Sequence, residues 1–204
     1  MDYVKILDDG LVRCAWGTGL PEYVAYHDFE WGRPSVQRSR LFEKLCLEGF
    51  QSGLSWLTIL RKRAGFREAF ADFVPETVAA FEQEDVDRLL ENRGIVRHQG
   101  KIRSAINNAR QLLALEEMEG DFGQWIWKNW ADASDQPPSA IAATTEQSTA
   151  LARALKKAGF TFVGPTTVYA FMQSMGLVND HYSDCYVRDA CQKERLGLLA
   201  AIGE

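Results

Sequence analysis

The chain has 204 residues, 46% of them apolar, which is enough for one sizeable hydrophobic core with at most two lobes. No run approaches the ~18 apolar residues of a membrane span, and the N-terminus lacks the basic and apolar regions of a signal peptide. The net charge of −5 argues against a protein coated with nucleic acid, although a local basic patch could bind phosphate. Four cysteines without a secretion signal indicate reduced thiols in the cytoplasm.

The N-terminal region combines a Cys/His pair with a cluster of aromatic residues. Cys14 and His27 have the spacing Cys-x12-His, and a helix is predicted to begin at Pro21, because proline suits the first turn of a helix. The pair by itself also fits two ordinary buried side chains. The aromatic residues fit either a plain hydrophobic core or a site for a flat, cationic ligand. These residues are Trp16, Tyr23, Tyr26 and Trp31.

A carboxylate lies on the apolar face of the next predicted helix. Leu41, Leu45 and Glu48 follow an i, i+4, i+7 spacing, so the helix directs Glu48 toward the core. Burying a carboxylate without a partner is costly. Glu48 could end the helix and pair with a backbone N–H or an arginine, or it could line a pocket. Residues 49–55 contain two glycines and lead to Trp56, and this loop with its indole favours the pocket.

The middle of the chain is predicted to be helical as well. A short helix is expected to start at residues 74–76, another covers residues 85–90 and stops before Gly94, and a longer one covers residues 102–113. Residues 131–144 contain two adjacent prolines and are predicted to form a surface loop. Because no long stretch alternates between apolar and polar residues, the sequence predicts an all-α fold.

Two helices joined by a glycine-bounded turn are predicted in the C-terminal third. One covers residues 145–157, the next begins at Pro165, and the turn lies between Gly159 and Gly164. The backbone N–H groups and the dipole of the second helix would face an anion, and two lysines stand just before the turn. An ordinary connection between two helices has the same pattern.

A second Cys/His pair follows these helices. His181 and Cys185 have the spacing His-x3-Cys, and with Cys14 and His27 they make a Cys2His2 set, which is typical of a closed structural zinc site. Such a site would join the two ends of the chain across roughly 150 residues. Two further cysteines could compete for the metal. Cys46 lies in an apolar helical run and is expected to be a small core residue, whereas Cys191 remains chemically competent as a ligand.

Five motifs in a fixed order give the chain a family resemblance over about residues 12–185. It resembles 3-methyladenine DNA glycosylase I, a zinc-containing branch of the helix-hairpin-helix glycosylases. The motifs are RCAW at residues 13–16, YVAYHDFEWG at 23–32, LEGFQSGLSW at 47–56, GIVRHQGKI at 94–102, and KKAGFTFVG at 156–164, the last followed by GLVNDH at 176–181.

The resemblance implies a fold and a metal site. It implies an all-α helix-hairpin-helix fold in which residues 1–204 form one glycosylase unit with two helical lobes. Residues 145–176 would be the DNA-binding helix-hairpin-helix element. One structural zinc per chain would join residues 12–35 to residues 178–191. Its ligands would be Cys14, His27, His181 and Cys185.

The resemblance also implies a role in DNA for the remaining candidates. Glu48, as the catalytic residue, and Trp56 would recognise the damaged base, with Tyr26, Tyr23 and Trp16 lining the pocket. Residues Gln51, Gly53 and Leu54 would press into the duplex, and Gly159 and Gly164 would hold a backbone phosphate. The partner would be damaged double-stranded DNA, bound by a monomer. The chain departs from the family in about ten extra residues before Cys14 and in a long tail after Cys185, which leaves the fourth zinc ligand open.

The implied reaction is hydrolytic removal of 3-methyladenine, the first step of base excision repair, leaving an abasic site. Methylation at N3 makes adenine a cationic leaving group, so that little acid–base catalysis is needed. A lyase would need a lysine where Pro165 and two threonines stand, so a monofunctional hydrolase is expected. Asp180 adjoins a zinc ligand and is not assigned as the base. A non-catalytic lesion-binding protein is the alternative, whereas a zinc hydrolase would need an open metal position.

Overall fold

The computed structural model describes residues 3–132, 134 and 136–203, and in this part of the chain ten α-helices and one two-stranded sheet are present. The all-α prediction is therefore confirmed, apart from the small sheet. The strands are β1 (Val4–Ile6) and β2 (Val12–Cys14). The helices are α1 (Pro21–Phe29), α2 (Arg38–Gln51), α3 (Trp56–Ala69), α4 (Pro75–Ala79), α5 (Gln83–Glu91), α6 (Gln99–Glu119), α7 (Phe122–Trp130), α8 (Glu146–Lys157), α9 (Pro165–Ser174) and α10 (Arg188–Gly203).

The β1–β2 hairpin places the first cysteine. The strands pair antiparallel with Val4 opposite Cys14, and the turn between them includes Gly10 at a φ of +76°, a conformation that glycine adopts without strain. The amide of Tyr186 donates to the carbonyl of Val12 at 2.9 Å, so the C-terminal segment continues the pairing. Three-residue strands are too short to show alternation, which explains why the sequence did not predict them.

Helix α2 is the centre of the fold. All of its residues from Leu41 to Phe50 are buried, and it packs against α3, α6 and α9. A helix surrounded on all sides must pair any charge that it carries. Glu43 accepts hydrogen bonds from Arg40 and Arg67 at 3.1 and 2.8 Å, and Glu48 forms an ion pair within the same helix.

The structure corrects the predicted loop after Glu48. Helix α2 continues through Gln51, so Gly49 belongs to the helix and the loop comprises only residues 52–55. Helix α3 then begins at Trp56, with the hydroxyl of Ser55 accepting from the Thr58 amide as its N-cap. Helix α3 was not predicted, because its apolar residues form no clear helical stripe. Helix α7 was also missed, although Phe122, Trp125 and Ile126 have the helical spacing i, i+3, i+4.

The other predicted segments are found close to their expected places. Helices α4, α5, α6, α8 and α9 cover the helices expected from the sequence. The predicted surface loop at residues 131–144 contains no helix or strand among its described residues, and its residues 133 and 135 lie outside them.

The C-terminal tail after Cys185, which departs from the family pattern, forms α10. Its buried Arg195 donates to the carbonyls of Gly176 and Leu177 at 2.6 and 3.2 Å. Within the described ranges, no helix has both the length and the apolar character to cross a bilayer.

Candidate functional site: an aromatic cleft beside a thiol and imidazole cluster

A cleft of about 550 Å³ opens between the N-terminal segment and the ends of α2, α3 and α9. Its walls are mainly aromatic, with one carboxylate and two amides. It contains the whole set of base-recognition candidates named from the sequence. The lining residues are Trp16, Tyr23, Tyr26, Trp31, Glu48, Gln51, Trp56, Ile141, Ala170 and Gln173.

The aromatic rings of the cleft contact one another mainly at their edges. Trp16 lies edge-on to Tyr23, Tyr26 and Trp31, with ring centroids 6.5, 6.3 and 4.9 Å away. The ring centroids of Tyr26 and Trp56 are 5.3 Å apart. The buried indole N–H groups of Trp16 and Trp56 find no acceptor among the described residues. Buried donors normally have a partner, so these two leave capacity for a ligand or water.

The carboxylate of Glu48 is buried and paired, and its partner is a lysine. Lys44, one helical turn earlier on α2, brings its Nζ to 3.0 Å from Glu48 Oε1 and donates to the Tyr26 hydroxyl at 2.6 Å. Glu48 is therefore paired, with a lysine in place of the expected backbone N–H or arginine, and it also lines a pocket. The i, i+4 spacing of Lys44 and Glu48 on one helix could have predicted this ion pair from the sequence.

The surroundings of the pair shift the pKa values of two neighbours. Burial lowers the pKa of the Lys44 ammonium to about 8, although the Glu48 carboxylate favours the charged form. Burial raises the pKa of the Tyr26 phenol well above its ordinary value, so this hydroxyl stays neutral at any physiological pH.

The four cysteine and histidine candidates converge in one buried cluster behind the cleft. The ligand atoms of Cys14, His27, His181 and Cys185 all lie within 4.8 Å of one another. Cys185 Sγ is 3.4 Å from both His27 Nε2 and His181 Nδ1, and Cys14 Sγ is 3.6 Å from His181 Nδ1. Tetrahedral zinc with ordinary Zn–S and Zn–N bonds would hold such atoms roughly 3.6 Å apart, so the donor set and its spacing fit this metal. Cys191 is buried nearby but does not belong to the cluster.

Hydrogen bonds outside the cluster orient its imidazoles. His27 Nδ1 lies 2.8 Å from Asp28 Oδ1, and Arg13 Nε donates to the same carboxylate at 3.0 Å. Burial by itself would raise the pKa of Asp28, but the hydrogen bonds from Arg13 and His27 lower it, so the carboxylate stays ionised. His181 Nε2 lies 3.2 Å from the carbonyl of Trp31. These contacts turn His27 Nε2 and His181 Nδ1 toward Cys185 Sγ, on the side where a metal would bind. The sequence had assigned no role to Arg13 or Asp28.

The cluster and the cleft share a wall. The His27 ring lies 5.4 Å from the Trp16 ring, and the His181 ring lies 4.7 Å from the Trp31 ring. At Gly32, which has a φ of +80°, an added Cβ would lie 2.9 Å from His181 Nε2. The position of the cluster therefore sets the position of the indoles that face the cleft.

Hydrogen bonds with side chains of α6 hold the turn between α8 and α9 in place. The amide of Thr161 donates to Asn108 Oδ1 at 2.8 Å, and Asn108 Nδ2 donates back to the Thr161 carbonyl at 2.9 Å. Gly159 has a φ of +89°, a conformation that strains other residues, and a Cβ there would also displace the Gln111 amide. Gly164 is the N-cap of α9, no side chain caps it, and a Cβ there would meet nothing within 4 Å. The first-turn amides of α9 are thus open at this end.

The loop between α2 and α3 is exposed at the rim of the cleft. Gly53 has a φ of +80° with open space around it, and Leu54 is 39% exposed. Gln51 Nε2 donates to the Leu54 carbonyl at 3.2 Å, and Lys101 Nζ donates to the Ser52 carbonyl at 2.6 Å. These bonds fix the backbone of the loop that exposes the Leu54 side chain to solvent. Asp180, by contrast, is buried and does not itself line the cleft; it accepts hydrogen bonds from Tyr169 and from Gln173, which does.

Comparison with known proteins identifies the fold and the family. The solved structure of 3-methyladenine DNA glycosylase I from Staphylococcus aureus has a TM-score of 0.80 to this chain and 38% identity, covering 86% of this chain and 96% of that one. The fold is thus that of the helical DNA glycosylases. The chain is 46% identical over 177 residues to the DNA-3-methyladenine glycosylase of Haemophilus influenzae, covering 85% of this chain and 96% of the relative. It is 47% identical over 180 residues to DNA-3-methyladenine glycosylase 1 of Escherichia coli, covering 85% and 95%.

The pattern of the methyladenine glycosylase family matches residues 16–189. The chain belongs to the methyladenine glycosylase family, and the resemblance seen in the five sequence motifs is confirmed.

Proposed function

We propose that this chain is a monofunctional DNA glycosylase that flips 3-methyladenine out of alkylated DNA and hydrolyses its glycosidic bond. The observation that carries the proposal is the aromatic cleft, which is lined by Trp56 and by one buried carboxylate, Glu48. The family and the names of its relatives support the substrate. Removal of the base would leave an abasic site and begin base excision repair.

Recognition of the base would rest on charge and stacking. A 3-methylated adenine carries a positive charge, so its ring gains from stacking on Trp56 and its amino group can donate to Glu48. A damaged base stacks poorly in the duplex and costs less to extrude. Tyr26, Tyr23 and Trp16 would enclose the base and exclude water. Because the charged base is a good leaving group, Glu48 would mainly stabilise charge, with no strong general base required.

DNA would be held at the rim of the cleft. Leu54, carried by Gln51 and Gly53, would enter the stack at the position that the base has left. The helix-hairpin-helix element, with Gly159 shaping the turn and Gly164 at the start of α9, would bind a phosphate through backbone N–H groups. Such contacts use few charges, which suits a chain whose net charge is −5.

Gly164→Val is expected to weaken DNA binding roughly 10-fold, by the loss of charge-assisted hydrogen bonds to phosphate, and to do so equally for all sequences. Valine can adopt the extended backbone of Gly164 and its Cβ would lie in open space, so the melting temperature should not change. Gly197→Val adds the same side chain in equally open space on α10 and serves as the control. Equal affinity of Gly164→Val and wild type in a binding titration would place the phosphate contact elsewhere.

The metal site would be structural. The thiols of Cys14 and Cys185 and the imidazoles of His27 and His181 would hold one zinc ion per chain, linking residues 12–35 to residues 178–191. Four protein ligands leave the zinc no position for water, so the metal would stabilise the fold and the cleft wall. All four cysteines are free thiols, which suits a monomeric enzyme in a reducing cytoplasm.

The test of the proposed function is chromatography of the bases released from methylated DNA by the purified protein. We expect free 3-methyladenine and intact strands with abasic sites. Binding to methylated DNA without release of any base would favour the alternative, a lesion-binding protein on the same scaffold. Strand cleavage at the abasic site without added alkali would contradict the monofunctional mechanism.

A further inference from the structure

A buried lysine occupies the centre of the base-recognition site. Lys44 Nζ donates to the Tyr26 hydroxyl at 2.6 Å, lies 3.0 Å from Glu48 Oε1, and stands 3.6 Å from the centroid of the Trp56 ring. Its side chain is only 5% exposed. The proposed mechanism gives this ammonium group no role, although it contacts both residues that would recognise the base.

These contacts are the ones that a cationic purine would use. A positive ring gains from an indole face and from a carboxylate acceptor, and the Lys44 ammonium already has both. Two cations within a few ångström of one another in a dry site repel strongly. The Lys44 ammonium therefore occupies the position that the charged base would take. Both cations would use Glu48 and Trp56 as their partners.

We propose that Lys44 is a specificity-determining residue whose ammonium competes with the cationic base for Glu48 and the face of Trp56, so that the cleft binds this base well only when Lys44 is neutral. This inference rests on the proposed function and adds a condition for base binding. With Lys44 charged and Glu48 ionised, the site is neutral and gains little from a charged base. With Lys44 neutral, the site carries one negative charge and prefers a methylated, cationic adenine to an unmethylated one.

Among the groups of the cleft with a shifted pKa, Lys44 is the one whose pKa moves toward neutral pH. Burial lowers its pKa to about 8. Burial raises the pKa of the Tyr26 phenol well above its ordinary value. Arg63 and Arg40 lower the pKa of Glu30 to about 2 despite its burial, and Glu30 in turn raises the pKa of Arg63. The titratable and charged groups facing the Lys44 ammonium are Tyr26 on α1, Glu30 after α1, Arg40 and Glu48 on α2, and Arg63 on α3.

The sign of the pH dependence follows from the charge of the lysine. Below pH 8 the ammonium form dominates and opposes a cationic base, and above pH 8 the neutral amine does not. A group with a pKa near 8 is about one-tenth neutral at pH 7 and about nine-tenths neutral at pH 9. Affinity for a base with a fixed positive charge should therefore rise roughly 10-fold between these two values.

The experiment measures binding of two small probes to the full chain by tryptophan fluorescence between pH 6.5 and 9. The first probe is the 3,9-dimethyladeninium ion, whose charge is permanent and whose N9 methyl stands for the sugar. The second is neutral 9-methyladenine. We expect wild-type affinity for the cation to rise about 10-fold from pH 7 to pH 9, with a flat profile for the neutral probe.

Three variants separate the role of Lys44 from that of other groups. Lys44→Met keeps the unbranched shape without a charge and should bind the cation at pH 7 at least as tightly as wild type does at pH 9. Lys44→Arg keeps the charge at every pH and should bind it weakly throughout. Lys62→Met is the control, because Lys62 lies on α3, donates to the Arg93 carbonyl and does not line the cleft, and it should retain the wild-type pH profile.

A flat wild-type profile for the cation, an equal rise for both probes, or weaker cation binding by Lys44→Met would each overturn the inference. The wild-type profile decides the matter even if a variant fails to fold. Failure of the proposed function gives a different result, which is no release of 3-methyladenine from methylated DNA at any pH. Release with single-turnover rates that are the same at pH 7 and pH 9 in wild type would reject only the role of Lys44.

Discussion

Cys14→Ala is expected to lose the proposed zinc ion and to unfold at a much lower temperature than wild type. Cys14 supplies one of the four converging ligand atoms, and three remaining ligands do not make a closed site. Structural zinc contributes about 10–16 kcal/mol in zinc-finger peptides. Even a loss of ~5 kcal/mol would lower the melting temperature of a chain of this size by roughly 10–20 °C. Metal analysis and a melting curve measure both effects.

Cys191→Ala is the matched control for the metal site. Cys191 is as buried as Cys14 and belongs to the same small hydrophobic cluster, but it lies outside the group of four ligand atoms. Its loss should cost about 1 kcal/mol for the missing sulfur and leave one zinc per chain. If Cys185→Ala retained zinc and Cys191→Ala released it, the fourth ligand would be Cys191. A preparation of the wild-type chain without zinc would contradict the proposed metal.

Glu48→Gln is expected to slow the release of 3-methyladenine roughly 10- to 100-fold. The substitution keeps the shape of the side chain but removes the charge and part of the acceptor capacity, and a charge-assisted hydrogen bond in a dry site is worth about 1.5–3 kcal/mol. Trp56→Ala should slow release by a similar factor, because stacking of a base on an aromatic ring is worth about 1–3 kcal/mol. Single-turnover release from methylated DNA is the measurement.

Glu43→Gln separates the loss of a buried charge from the loss of recognition. Glu43 is a buried, ion-paired glutamate on the same helix as Glu48, but it faces Arg40 and Arg67 and does not line the cleft. It should lower stability and leave the release rate of the folded protein unchanged. Wild-type release by both Glu48→Gln and Trp56→Ala would place the base pocket elsewhere. Unfolding of both would assign Glu48 a structural role.

Local signals predicted most of the helices because they act within a few residues. Pro21 and Pro165 stand at the first position of α1 and α9, where a fixed φ and a missing N–H are harmless. The expected stop of α2 at Gly49 was wrong, because packing on all sides of this helix outweighs the weak helix propensity of glycine. The strands β1 and β2 were missed because three residues are too few to show alternation, and the hydrogen bond from Tyr186 to Val12 joins segments too far apart for any local pattern.

The sequence by itself determined the family, the all-α class and the set of chemically capable side chains, since motifs and residue types are read directly from the chain. Only the tertiary structure decided which of these side chains meet. It placed Cys185 with the other three ligands and left Cys191 aside, and it brought the Tyr26 hydroxyl and the Trp56 ring to the Lys44 ammonium. The physical reason is that both arrangements depend on contacts between helices and segments distant in the chain, and the direction of a buried side chain follows from packing that sequence spacing does not contain.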